Sequence, residues 1–153
     1  MAANIRGSCR SGQQRLMDFE VTATPETADL ITLVEGLNAY AEGMAPPRIK
    51  QDIGIFVREN GRLVAGLYGA TYWNWLHIKL LWVDDALRGR GIGRQLMQVA
   101  ETEAIQRGCH AALVDTHSFQ AEGFYTQLGY EVFGRLEDFP PRHQRVYLQK
   151  RLR

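Results

Sequence analysis

The stretch ALRGRGIGRQLM (86–97) sets Arg88, Arg90 and Arg94 among Gly89, Gly91 and Gly93. Glycines let a chain turn tightly and bring its amides against a ligand, while arginines supply positive charge. The chemistry on offer is therefore the holding of an anion. The run LLWV just before the turn ends a strand pattern, and Ile92, Leu96, Val99, Ala100 and Ala104 after it recur at helical spacing, closed by Gly108. Strand, glycine turn and helix in that order aim several N–H groups and the positive end of a helix at one point, which suits phosphate. Spacing tests the common nucleotide patterns. A G-x-G-x-x-G run from Gly89 needs glycine at 94, and from Gly91 a small residue at 96, where Arg94 and Leu96 stand. A P-loop from Gly89 needs Gly-Lys where the chain has Arg94-Gln95. Both fail, and R-x-x-G-x-G remains, in Arg88, Gly91 and Gly93.

The elements that must position this turn follow from pattern and punctuation. Residues 16–23 (LMDFEVTA) read as a strand. Thr24-Pro25-Glu26 then supplies an N-cap, a first-turn proline and an early acid, and Leu30, Leu33, Val34, Leu37 and Ala41 mark one buried helical stripe, ended by Gly43 and Pro46-Pro47. Alternation through Ile53, Ile55 and Val57 up to Asn60-Gly61 is a hairpin signal, and Asn74 punctuates before another strand. In that strand, 75–83, Leu76, Ile78, Leu80 and Trp82 share a core face, and Trp75, His77, Lys79, Leu81 and Val83 a half-buried one. A short strand (110–117), a short helix closed by Gly129 and two final strands (130–136 and 145–152) complete the order βαβββαβαββ, a mixed sheet flanked by helices.

With 153 residues the chain suits one domain, and 45% hydrophobic with 23% charged residues is a globular composition. The net charge of +1 gives no general attraction to nucleic acid or anionic membrane, so a basic site must be local. Cys9 and Cys109 form neither a disulfide framework nor a metal-binding pair, which points to a reducing cytoplasm. No apolar run suits a spanning helix. Residues 1–16 carry Arg6, Arg10 and Arg15 with no acid before Asp18; they read as a disordered tail before a domain over 17–153, with a transit peptide, or a true start at Met17, as alternatives.

A second motif lies farther on: Ser118, Ala121 and Tyr125, then Gly129-Tyr130. With Arg88, Gly91 and Gly93, it resembles the GNAT superfamily of N-acetyltransferases, whose pyrophosphate loop has the R-x-x-G-x-G form and whose later segment reads N-x-x-A-x-x-x-Y, with serine here in place of asparagine. The resemblance implies an α/β (mixed α+β) fold, a single GNAT-like domain with a central mixed, mostly antiparallel sheet flanked by helices. It also implies acetyl-CoA as co-substrate and a small-molecule or protein amine as acceptor, and it allows a homodimer.

It further implies the site. Amides from Gly89 to Arg94, Ile92 included, would hold the pyrophosphate, with Arg88 and Arg90 adding charge. Leu81, Trp82 and Val83 would offer a backbone edge to the pantetheine, and Ser118 a side-chain hydroxyl. Tyr125 matches the general-acid position, and a phenol stays protonated at neutral pH; its alternative is a core residue of a short amphipathic helix. An acceptor amine must lose a proton, and His77 falls where some members carry a glutamate base. A structural role for His77 is the alternative, with Asp115 and His117 as rival bases. Met44, Tyr72, Trp73 and Trp75 are candidates for an acceptor pocket or for core, and the loop 137–143 for its border. Two other classes stand beside transfer: a non-catalytic acyl-CoA-binding sensor or scaffold, and, more weakly, a nucleic-acid binder using the same arginines.

Overall fold

The computed structural model describes residues 17–152, so the tail expected at 1–16 lies outside the described residues. Two compact units divide the chain, one ending at Pro47 and one beginning at Arg48.

In the first unit the only regular element among the described residues is α1 (Thr27–Ala41). It starts two residues later than its sequence signals suggest. Glu26 stays extended at ψ 139°, its carbonyl accepting the first helical bond from Leu30 N at 3.2 Å, and the Thr24 amide is taken by Thr22 Oγ1. One expectation fails here. Residues 17–23 form no strand, although Met17, Phe19 and Val21 alternate as a strand should. Alternation describes side chains only; a strand also needs a ladder partner for its backbone, and these residues have none. Within this unit no second element among the described residues stands against the apolar stripe of α1, which periodicity located together with the helix.

The second unit is a six-stranded sheet built from β1 (Gln51–Glu59), β2 (Arg62–Tyr72), β3 (Trp75–Val83), β4 (Ala111–His117), β5 (Glu131–Leu136) and β6 (Arg145–Arg151). The spatial order is β1-β2-β3-β4-β6-β5, with β3 and β4 parallel and every other pair antiparallel. The first hairpin turns at Asn60 and Gly61, with φ of 49° and 82°, the left-handed pair that a two-residue loop demands. Trp73 and Asn74 repeat this at the second hairpin, and Asn74 Nδ2 donates to Gly108 O at 3.0 Å. The parallel step from β3 to β4 needs a crossover, supplied by α2 (Ile92–Gln106), which packs against β1, β2 and β3 through Leu96, Met97, Ala100 and Ala104. The short α3 (Glu122–Gln127) follows β4 and carries Tyr125 into the same core, beside Val114, Val146 and Leu148.

One face assignment is overturned within β3. Leu76 and Ile78 are buried, but Leu80 is 66% and Trp82 46% exposed, while Leu81 and Val83 pack against the core. The phase changes because Ile78 pairs with Gly69 and Leu80 with Tyr68, leaving Lys79 as one extra residue. Such a bulge reverses the side-chain alternation of everything after it.

Candidate active site

The bulge is where the site begins. β3 pairs with β4 only from Trp75↔Ala111 to Ile78↔Val114. Beyond this, β3 runs on to Val83 beside β2, and β4 runs on to His117 beside β6. The two parallel neighbours thus part after Ile78, and the edge of residues 79–83 that faces β4 has no strand partner. In the opening lies a cavity of about 830 Å³, lined by residues 78–83, 87–89, 91–94, 114–116 and 119–121 with Phe124, Tyr125 and Gln127. Unpaired backbone at the edge of a cleft is suited to an extended ligand that carries amides of its own.

The glycine turn forms one end of the cavity. Gly89 and Gly91 hold φ of 73° and 80°, a region that a side chain would make costly, and Gly91 sits at the N-cap of α2 without a side-chain capping bond. The first amide to close a helical bond is that of Gln95, onto Gly91 O at 3.0 Å. The amides of residues 92–94 therefore stay available at the positive end of a fifteen-residue helix. A Cβ on Gly93 would meet the Phe124 ring at 3.3 Å, so this glycine also lets α2 and α3 approach. Arg88 is partly committed: Nε donates to Val83 O at 3.2 Å, and the guanidinium pairs with Asp85 at 2.7 Å. Arg94 lines the cavity; Arg90 is exposed and does not.

Tyr125 stands in the cavity wall, only 5% exposed, edge-on to Phe124 and Tyr130 at centroid distances of 5.2 and 5.9 Å. No buried side-chain polar atom of the described residues lacks a partner, and no hydrogen bond is made by the Tyr125 hydroxyl. The hydroxyl accordingly keeps access to the open side of the cavity. Burial, and then the neighbouring Asp115 carboxylate, push its pKa up to about 12. Asp115 shares the cavity and is held by Arg145, both Nε and Nη2 approaching its Oδ2 at 2.7 Å.

Other residues singled out in the sequence take different places. His77 does not line the cavity; its ring stacks on Tyr72 at 3.9 Å, with Nδ1 3.0 Å from the Tyr72 hydroxyl. Burial first, then Arg48 and Lys79, lower its pKa. Ser118 is also outside the lining, since its Oγ accepts from the Gln144 amide at 3.1 Å and its own amide donates to Gln144 O. Tyr72 and Trp73 meet edge to face at 5.8 Å, whereas Trp75 packs on His110 and lines a second cavity of about 500 Å³ with Glu101 and Lys150. The loop 137–143 reaches the cavity rim: Phe139 stacks on His117, and His143 meets Phe119, which lines the cavity. Sequence reasoning missed Thr116, Phe119, Gln120 and Phe124 as lining residues. The signal was their place between the end of a strand and Tyr125.

The cleft fits acetyl-CoA in kind: helix-terminal amides, an unpaired strand edge and a phenol in its wall. Comparisons with known proteins agree. A model of the Acetyltransferase (GNAT) family matches residues 26–130. A blasticidin-S acetyltransferase from Streptomyces morookaense is 45% identical over 84 residues, 54% of this chain and 62% of that protein, so the chain spans less than two thirds of that relative. An acetyltransferase from Agrobacterium fabrum is 36% identical over 103 residues, 67% of this chain and 75% of that protein. The crystal structure of an acetyltransferase from Bacillus cereus superposes with a TM-score of 0.78 at 29% identity, covering 86% of this chain and 97% of that one. The chain belongs to the acetyltransferase (GNAT) family, whose members use acetyl-CoA.

Proposed function

We propose that this chain transfers an acetyl group from acetyl-CoA directly to a primary amine of a small molecule, with Tyr125 as general acid and Asp115 as general base. The observation that carries this reading is the pair itself: a phenol without a protein partner and a carboxylate close enough to raise its pKa, in one cavity with the anion-holding turn. Acetyl-CoA, when bound, supplies an activated acetyl thioester. Amides of residues 92–94 and the Arg94 side chain hold its pyrophosphate, and the edge of residues 79–83 aligns the chain toward the parting of β3 and β4. An amine of pKa about 10.4 arrives protonated, and Asp115 accepts a proton so that the nitrogen lone pair can attack. As the C–N bond forms and the C–S bond breaks, Tyr125 donates its proton to the leaving sulfur and the new amide nitrogen loses its second proton to solvent; Asp115 then releases its proton to solvent, and solvent returns one to the phenolate.

Asp115 replaces His77 in this reading because His77 is engaged with Tyr72 and stands apart from the cavity. A small-molecule acceptor is supported by the relative named for blasticidin S. Incubation with acetyl-CoA and matched panels of small amines and lysine peptides tests the proposal. Release of free thiol with a small amine, slowed in Tyr125→Phe, is expected. CoA binding with no thiol release across both panels would instead mark a sensor or scaffold.

A further inference from the structure

The bulge at Lys79 lies against the neighbouring strand β2. Gly69 of β2 stands beside it, paired with Ile78. A Cβ built on Gly69 would lie 2.4 Å from His77 O and 3.3 Å from both His77 C and Ile78 Cα. These are backbone atoms of a strand paired on both sides, so they cannot swing away. Gly54 gives the contrast: the three atoms nearest to its Cβ would be ring atoms of Phe56, the closest at 2.9 Å, and Phe56 is an exposed side chain rather than paired backbone.

We propose that Gly69 is a positioning residue for the donor. Lacking a Cβ, it lets β2 and β3 approach closely enough for Lys79 to be extruded, and the extrusion bends β3 away from β4 and opens the cleft. An extra residue on one strand sharpens its local bend and twist, and a parallel neighbour anchored elsewhere, as β4 is on β6, does not follow. The side-chain phase supports this. Leu76 and Ile78, then Leu81 and Val83, face the core, so removing Lys79 would leave every remaining side chain on its present face. Deletion of one residue would thus straighten β3 without turning it inside out, and a straight β3 can go on pairing with β4.

The inference rests on the cleft being the acetyl-CoA site, and direct titration of the wild-type chain with CoA tests that separately; no binding there would sink the functional reading itself. Given wild-type binding, the test compares Gly69→Ala, deletion of Lys79, the deletion combined with Gly69→Ala, and Gly54→Ala as control. Gly69→Ala is expected to raise the Kd for CoA and the KM for acetyl-CoA about 30-fold, equivalent to about 2 kcal/mol, with the acceptor KM unchanged. The deletion is expected to fold and lose CoA affinity by as much, and adding Gly69→Ala to it to lower the Tm no further, because the close approach is gone. Gly54→Ala should bind as wild type does. If Gly69→Ala does not yield folded protein, the two deletion chains decide. CoA affinity within about threefold of wild type in either Gly69→Ala or the deletion overturns the proposal.

Discussion

Tyr125 offers a test in which stability and chemistry report on one hydroxyl. Its pKa is pushed from 10 up to about 12, chiefly because the phenolate would be buried and then because Asp115 repels it. A group that holds its proton more tightly in the folded state contributes stability that is complete below its unfolded pKa. That contribution is lost as pH rises toward the folded value, with a ceiling of about 3 kcal/mol for this displacement. The loss should be about 1 kcal/mol by pH 11 and about 2 kcal/mol by pH 12. Tyr125→Phe removes the titrating group and keeps the ring. Urea unfolding of both proteins between pH 8 and pH 12 should therefore show a difference that moves against wild type at high pH; Tyr130, whose pKa is raised by burial, then by Glu101 and least by Tyr125, is present in both and differs between them only through that smallest contribution. A difference flat across that range, or phenolate absorbance placing the Tyr125 ionisation near pH 10, would refute the burial argument. The same variant should lower kcat by about 10²-fold or more while sparing the Kd for CoA. Unchanged turnover would remove Tyr125 from the mechanism.

Asp115→Asn should reduce kcat by about 10²-fold and bring the Tyr125 ionisation down, read as the midpoint of the phenolate absorbance; full activity would return the base to another group. His77 has a lowered pKa, so its neutral form is the one the fold favours, and stability present above about pH 6.5 is lost as pH falls through the folded value. Urea midpoints at pH 7.5 and pH 5 should then show wild type losing ground to His77→Phe on acidification, and parallel losses would contradict the burial of that ring. Gly91→Val forces a branched side chain into a left-handed conformation and should cost about 1–2 kcal/mol of stability. It should also weaken CoA binding; a Kd unchanged in this variant would place the pyrophosphate away from the turn.

Local chemistry was legible without tertiary information because it is written in single residues. Asn60-Gly61 dictates its hairpin through φ alone, and Gly89, Gly91 and the helix that follows present free amides at a positive helix end wherever they are placed. The six strands of the second unit and the position of Tyr125 followed from pattern for the same reason. What the pattern could not carry was pairing. An alternating run at 17–23 formed no strand, because side-chain alternation carries no backbone partner with it. Between β2 and β3, the ladder absorbs one extra residue, and only the approach of Gly69 to the His77 carbonyl shows where. That single offset reversed the faces of Leu80 to Val83 and parted β3 from β4. The part of the cavity that contains Asp115 but not His77 follows from it. The sequence by itself determined a glycine turn that opens a helix with its first amides free of intrahelical bonds, since amides and glycines act locally. The tertiary structure alone decided that Tyr125 and Asp115 line one cavity while His77 stands outside it, because strand register and the splay of a sheet are properties of two strands at once.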